Sequence, residues 1–184
     1  MNYLASSGQL RASLLRWSLF TVPLLLVLGS FSARAGGGGP GNPWFDNLVK
    51  PAIYPPAVAF PIVWSILYVL MGISLAMILS ARGARGRGLA VSAFLVQLAL
   101  NFSWSPVFFA MHQITAAFWV AVAMGVATLV TIVLFWRIRP VAGMLLLPYL
   151  AWIGVACTLN YEIGRLNPDA DGAFGSTRTV RVEI

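Results

Sequence analysis

From Leu89 to Trp136 the chain runs for 48 residues without one Asp, Glu, Lys or Arg. As one helix, at 1.5 Å per residue, that run would reach roughly 72 Å. The hydrocarbon layer of a bilayer is only ~30 Å thick, the reach of roughly 20 helical residues. The run must therefore turn back on itself, and the one polar patch inside it is Met111-His112-Gln113-Ile114-Thr115. Three further uncharged stretches, Trp17 to Ala33, Pro51 to Ala81 and Pro140 to Tyr161, are each of spanning length. The expected fold class is an all-α integral membrane protein, a five-transmembrane-helix bundle with helices near 14–32, 57–80, 89–111, 115–136 and 141–163. Composition agrees: 9% of the residues are charged and 59% hydrophobic, and mean hydropathy is +0.84. A soluble domain carries about a quarter charged residues, so soluble and disordered classes are both excluded.

The net charge of +7 is a topological signal. Arg11, Arg16, Arg82, Arg85, Arg87, Arg137 and Arg139 fall at one end of such a bundle; Arg34, Lys50, Arg165, Arg178 and Arg181 fall at the other. Tight positive loops favour the cytoplasmic side, which predicts a cytoplasmic N-terminus and an outward C-terminus in an inner membrane. Outer-membrane residence, the alternative, removes the basis of that orientation. Nucleic acid is not implied, because the basic residues lie in short clusters between apolar runs. A single cysteine, Cys157, and a single histidine, His112, exclude a disulfide framework and a multi-histidine metal site.

The first span has a second reading as a signal peptide, with Ala33-Arg34-Ala35 as an A-x-A cleavage site. Segment 33–56 is the sizeable internal loop. Gly36 to Gly39, Pro40, Gly41 and Pro43 predict a non-helical first half. Trp44 to Leu48 have the makings of one interfacial helical turn, and Lys50-Pro51 and Pro55-Pro56 stiffen the entry to the second span. Residues 1–165 are expected to form one domain and 166–184 a polar, mobile tail. No internal repeat is visible, so an inverted-repeat transporter is not indicated.

Polar and aromatic residues inside lipid are the candidates for function. On the third helix Asn101, Trp104, Ser105 and Phe108 share a face, one turn after Gln97. Trp64, Tyr68 and Met71 form a stripe on the second, and Tyr149, Trp152, Ala156 and Asn160 one on the fifth, beside Tyr161. Such stripes either pack the bundle or line a cavity for a large, flat, mostly apolar ligand. Asn101 and Asn160 either tie helices together or meet that ligand, since an amide in lipid needs a partner. His112 reads as a solvated loop residue or a haem ligand, and Cys157 as a small packing residue. Ala117, Ala121 and Gly125, and also Gly88 and Ser92, are small-residue ladders that allow close approach within the bundle or between protomers. No charged residue lies mid-span, with Glu162 at the boundary, which disfavours ion-coupled pumping. Neither a nucleophile–base pair nor a phosphate loop nor a metal cluster is evident in the sequence.

Lys50-Pro51, Pro55-Pro56 and Phe60-Pro61-Ile62-Val63-Trp64, with Leu67-Tyr68 and Met71-Gly72, resemble the loop and second helix of the TspO/translocator protein family. These are the tryptophan-rich sensory proteins, or peripheral-type benzodiazepine receptors. Leu100-Asn101-Phe102-Ser103-Trp104-Ser105-Pro106-Val107-Phe108-Phe109 is similar to that family's third helix. Pro148-Tyr149-Leu150-Ala151-Trp152 and Thr158-Leu159-Asn160-Tyr161 are similar to its fifth. The matches are dispersed over about 44–165 in family order. Because the family keeps its first helix, the resemblance argues against the signal-peptide reading.

The resemblance implies a homodimeric receptor, sensor or carrier for protoporphyrin IX and haem, regulating tetrapyrrole or stress metabolism. It also implies affinity for sterols and benzodiazepine-type ligands, with no required cofactor and no resident metal. Trp64, Asn101, Trp104, Trp152 and Ala156 match positions lining the family's cavity, and Tyr68, Phe108, Tyr149 and Asn160 lie on the same stripes. Lys50 or Arg34 would pair with porphyrin carboxylates. Leu159, Tyr161 and Arg165 fit a cholesterol-recognition pattern. The alternative implied is light-dependent porphyrin degradation with Trp64 and Trp152 as electron donors. Ile53 stands where the family usually has a loop tryptophan, with Tyr54 beside it.

Overall fold

A computed structural model describes residues 7–38 and 41–172. Its helices are α1 (Ser7–Ala35), α2 (Pro43–Asp46), α3 (Ala59–Ser80), α4 (Arg87–Ser105), α5 (Ile114–Ile138), α6 (Pro140–Met144) and α7 (Leu147–Leu166). A π-turn (Pro106–Ala110) extends α4, and a 3-10 turn (Pro168–Ala170) follows α7. Five helical units of 22 to 28 residues are long and apolar enough to cross a membrane. α3 lies at the centre, touching α1, α4, α6 and α7, while α5 packs between α4 and α7.

The boundaries depart from the sequence expectation in three instructive ways. α1 begins at Ser7, about two turns before residue 14, because a helix does not stop where the hydrocarbon does. Arg11 and Arg16 ride on the part that extends beyond the apolar run.

The second departure is the expected fifth helix, which is broken at Leu145 and Leu146. Pro148 has no N–H to give the Met144 carbonyl, so the ladder fails one turn after Arg139 and Pro140 have started it. The third is the end of α4. Pro106 cannot bond the Phe102 carbonyl, and the helix widens to a π-turn in which the Met111 amide donates to Pro106 O at 3.0 Å. The carbonyl that Pro106 leaves free is taken by α1: Ser32 Oγ donates to Phe102 O at 2.8 Å. In lipid that replacement is obligatory, since no water is available to do it.

Two similar bonds fix the helix pairs, Thr21 Oγ1 donating to Gly72 O at 2.8 Å and Ser74 Oγ to Ala142 O at 2.7 Å. Ala117 and Ala121 are wholly buried in the bundle, whereas Gly88 and Ser92 face outward on α4.

The tail is not free where it is described. Asp171 Oδ1 accepts from the amides of Ile114 (2.6 Å) and Thr115 (3.3 Å), capping α5. The Gly172 amide donates to His112 O at 2.8 Å. An Asp at a helix N-terminus satisfies orphan amides and meets the positive end of the dipole, which is why 167–172 packs rather than trailing. The rest of the expected mobile tail, 173–184, lies outside the described residues.

Candidate functional site

The stripes on α3, α4 and α7 meet in one place. Tyr68 OH donates to Asn101 Oδ1 at 2.8 Å. The same amide donates from Nδ2 to Tyr149 OH at 3.0 Å and to Met124 Sδ at 3.6 Å. Asn101 thus uses both ends of its amide to tie four helices, and Tyr149 is 0% exposed. Of the two readings open for Asn101, tying the helices is what this geometry displays.

Trp64 stacks on Tyr68 (5.4 Å between ring centroids, 28°) and meets Tyr149 edge-on at 6.3 Å. Asn160 is similarly engaged: its Oδ1 accepts from Trp104 Nε1 at 3.2 Å and its Nδ2 donates to Ile114 O at 2.8 Å. Trp104 then stacks on Phe108 at 5.0 Å and 13°. Trp152 reaches the group from α7 through Phe60, 5.9 Å away. Trp64, Trp104, Trp152 and Ala156 are half-buried. In this conformation the rings of the stripes pack on one another.

The loop closes over these rings from one end of the bundle. Asn42 caps α2, its Oδ1 accepting from the Phe45 amide at 3.0 Å, and Pro43 at the first turn loses no bond. α2 turns Phe45 and Leu48 inward against Phe108, Ile114 and Ile163. Tyr54 continues the contact from Phe45 (6.1 Å) to Phe60 (5.3 Å), and burial pushes its phenol above the usual range, so it stays neutral. Trp44 stacks on His112 at 4.4 Å and 15°, and His112 takes a positive φ of 56° in the turn between α4 and α5. His112 thus lies half-buried in that turn, its imidazole packed on the Trp44 ring.

Gly36 and Gly38 are pressed against Ser105 and Phe109, where a Cβ would find no room. This part of the glycine-rich stretch is a close-packed seam rather than loose chain.

This geometry bears on two of the expected ligand contacts. Lys50 Nζ lies 3.0, 3.5 and 3.2 Å from the carbonyls of Phe45, Asp46 and Leu48. It also sits 4.6 Å from the centroid of the Phe45 ring. It closes the end of α2, so pairing with a ligand carboxylate would require breaking that cap. Leu159 is buried while Tyr161 is 58% exposed on the opposite face, because two residues along a helix turn about 200°. Arg165 pairs with Glu162 at 2.7 Å. The cholesterol pattern therefore does not converge on one spot. Ile53 is exposed on the loop.

Sequence reasoning did not place Trp44, Phe45, Tyr54 and Phe60 at the site, although Trp44 to Leu48 read as a helical turn and Phe60 stood in the family motif.

Asn167 latches the loop from below α7. Its Oδ1 accepts from the Val49 amide at 2.8 Å, and its Nδ2 donates to Val49 O at 2.9 Å. Asn167→Ala removes both bonds. With each worth about 1 kcal/mol net, exchange of the Val49 amide is expected to quicken by roughly thirtyfold, read by hydrogen–deuterium exchange. An unchanged rate would mean that the latch does not hold the loop.

Five membrane-crossing units, an aromatic interior without charge among the described residues and a latched aromatic loop define an integral membrane protein with its polar chemistry confined to amides, phenols, indoles and hydroxyls. The sequence pattern of the TspO/MBR family matches residues 20–166. The tryptophan-rich sensory protein of Cereibacter sphaeroides is 37% identical over 153 residues, 82% of this chain and 92% of its own. The translocator protein of Sus scrofa is 36% identical over 151 residues, 81% and 89% of the two chains. Protein CrtK of Rhodobacter capsulatus is 38% identical over 126 residues, 68% and 79%. The chain belongs to the TspO/MBR family, a membrane family that includes sensory and translocator proteins.

Proposed function

We propose that this protein is a membrane sensor or carrier for flat tetrapyrroles such as protoporphyrin IX and haem. The observation that carries the reading is the grouping of three half-buried indoles, Trp64, Trp104 and Trp152, around the Tyr68–Asn101–Tyr149 network, beneath a loop held by hydrogen bonds. Indole faces stack on aromatic rings with modest, geometry-tolerant energies of about 1 kcal/mol each. A charge-free interior asks for an equally apolar ring.

The site also offers a donor for an acceptor group at its mouth: Trp44 Nε1 is buried and has no hydrogen-bond partner among the described residues. A buried N–H left unpaired costs roughly 1–3 kcal/mol, which a ligand carboxylate would recover. Because Phe45 and Leu48 pack over Phe108 at the loop end, a tetrapyrrole entering from that end would displace α2. Sterols are a weaker fit, since they lack an aromatic face and the residues of the sterol pattern are spread over two faces of α7.

A homodimer in an inner membrane completes the proposal, with the arginine-rich end towards the cytoplasm. Light-dependent degradation of the bound ring is the competing activity, and Trp64, stacked on a hydrogen-bonded phenol, is the residue that favours it.

The test is a side-by-side titration of the purified protein with protoporphyrin, haem and cholesterol, in the dark and under illumination. Stoichiometric tetrapyrrole binding at micromolar concentration is expected. Its absence would leave a scaffold whose function lies in partner proteins. A bilin-like product formed in light, rather than simple loss of the Soret band, would favour the enzymatic reading.

A further inference from the structure

The opposite end of the bundle carries features that the aromatic site does not use. Among the described residues the four acidic ones, Asp46, Glu162, Asp169 and Asp171, lie outside the segments that build this end. It gathers seven arginines: Arg11, Arg16, Arg82, Arg85, Arg87, Arg137 and Arg139. A positive-inside bias accounts for their side of the membrane, but not for how they are arranged. Two clefts flank the first turns of α1.

One cleft, of about 160 Å³, is walled by Leu10, Leu14 and Met77 and edged by Arg11, Ser80 and Arg139. The other, of about 290 Å³, is walled by Trp17 and Phe20 and edged by Ser13, Arg16 and Arg82. Each is lined by two arginines from separate parts of the chain: α1 with the α5–α6 link, and α1 with the turn after α3. The one ion pair among the described residues, Arg165–Glu162, is at the far end. Two like charges held beside apolar walls without a carboxylate repel each other and leave a local positive potential. An anion between them removes that cost.

We infer that these clefts bind the phosphate of an anionic glycerophospholipid. In each, the arginine pair holds the headgroup and the apolar wall takes the first methylenes of an acyl chain. The chemistry on either side of the headgroup selects this ligand. A free phosphate would satisfy the arginines and leave Leu10, Leu14, Met77, Trp17 and Phe20 without an apolar partner. A zwitterionic lipid would satisfy the walls and bring its own cation towards the guanidiniums. Basic pockets between transmembrane helices are a recurrent solution for anionic headgroups. Occupancy would brace α1, the outermost and least buried span, against α3.

The full-length protein is reconstituted in nanodiscs of phosphatidylcholine, with or without phosphatidylglycerol. Retained lipid is counted by native mass spectrometry, and the unfolding midpoint is recorded. Phosphatidylglycerol is expected to be retained preferentially and to raise the midpoint, whereas inorganic phosphate added to phosphatidylcholine discs leaves it unchanged. Arg11→Gln with Arg139→Gln, or Arg16→Gln with Arg82→Gln, is expected to reduce the preference about thirtyfold, at roughly 1 kcal/mol per basic residue. Arg85→Gln with Arg137→Gln removes the same charge outside both clefts and should preserve it. Equal losses in all three pairs would overturn the proposal in favour of diffuse attraction, as would stabilisation by inorganic phosphate alone. The two cleft pairs are independent, so a folding failure in one leaves the other to decide.

Discussion

Asn101→Leu is expected to destabilise the folded protein by about 2 kcal/mol and to weaken tetrapyrrole binding at least tenfold. The amide accepts from Tyr68 at 2.8 Å and donates to Tyr149 at 3.0 Å, with Tyr149 wholly buried and Tyr68 8% exposed. Leucine keeps the same branched skeleton of four side-chain heavy atoms, so the principal loss is of hydrogen bonds. Each phenol left unpaired costs roughly 1–3 kcal/mol in a water-free interior. Interhelical bonds measured within membranes average nearer 0.6 kcal/mol, because the reference state finds other partners. Two bonds on one amide bring the sum to about 2 kcal/mol. Binding suffers as well, because Tyr68 is the ring on which Trp64 stacks. Tyr68→Phe removes only one of the two bonds and is expected to cost about half as much. Unfolding of the purified protein by denaturant in mild detergent measures both. An Asn101→Leu midpoint equal to wild type would show that the phenols have alternatives.

Gly72→Leu is expected to cost about 3 kcal/mol and to lift α1 from the bundle. A Cβ at Gly72 would lie 2.8 Å from the Cα and Cγ2 of Val22 and 3.0 Å from its nitrogen. A backbone cannot rotate aside as a side chain can, so the helices themselves must separate. Separation also strains the bond from Thr21 Oγ1 to Gly72 O. Overpacking of a tight contact typically costs 1–3 kcal/mol, and the lost hydrogen bond places this case at the upper end. Gly154→Ala is the contrast: its Cβ would meet nothing within 4 Å. There the better helix propensity of alanine should make the change neutral or stabilising by up to ~1 kcal/mol. Equal unfolding midpoints for Gly72→Leu and Gly154→Ala would refute the close α1–α3 crossing.

The number of spans was readable because lipid punishes charge, and the 48-residue uncharged run could not cross only once. What stayed hidden came from single backbone groups. Pro106 and Pro148 were visible, but their consequences were not: a π-turn repaired by Ser32 in one case, and a break between α6 and α7 in the other. Helical periodicity brought Trp64, Tyr68, Asn101, Trp104, Phe108, Tyr149 and Asn160 to facing stripes, because one period of 3.6 residues governs each span. Ser105, on the same nominal face, instead meets Gly36 of the loop. The loop itself was the least legible part. Its order rests on a long-range latch, Asn167 to Val49 across 118 residues, and on local capping by Lys50 of three nearby carbonyls, and periodicity carries no trace of either.

The decisive measurement is fluorescence quenching of the seven tryptophans by protoporphyrin, compared across single substitutions. Trp64→Ala and Trp152→Ala remove rings of the cluster, while Trp119→Phe alters an exposed ring on α5. If the aromatic cluster is the tetrapyrrole site, the first two lose most of the saturable quenching and Trp119→Phe keeps the wild-type affinity. If Trp64→Ala and Trp152→Ala titrate like wild type, the tetrapyrrole does not bind among these rings, and the proposed function is wrong.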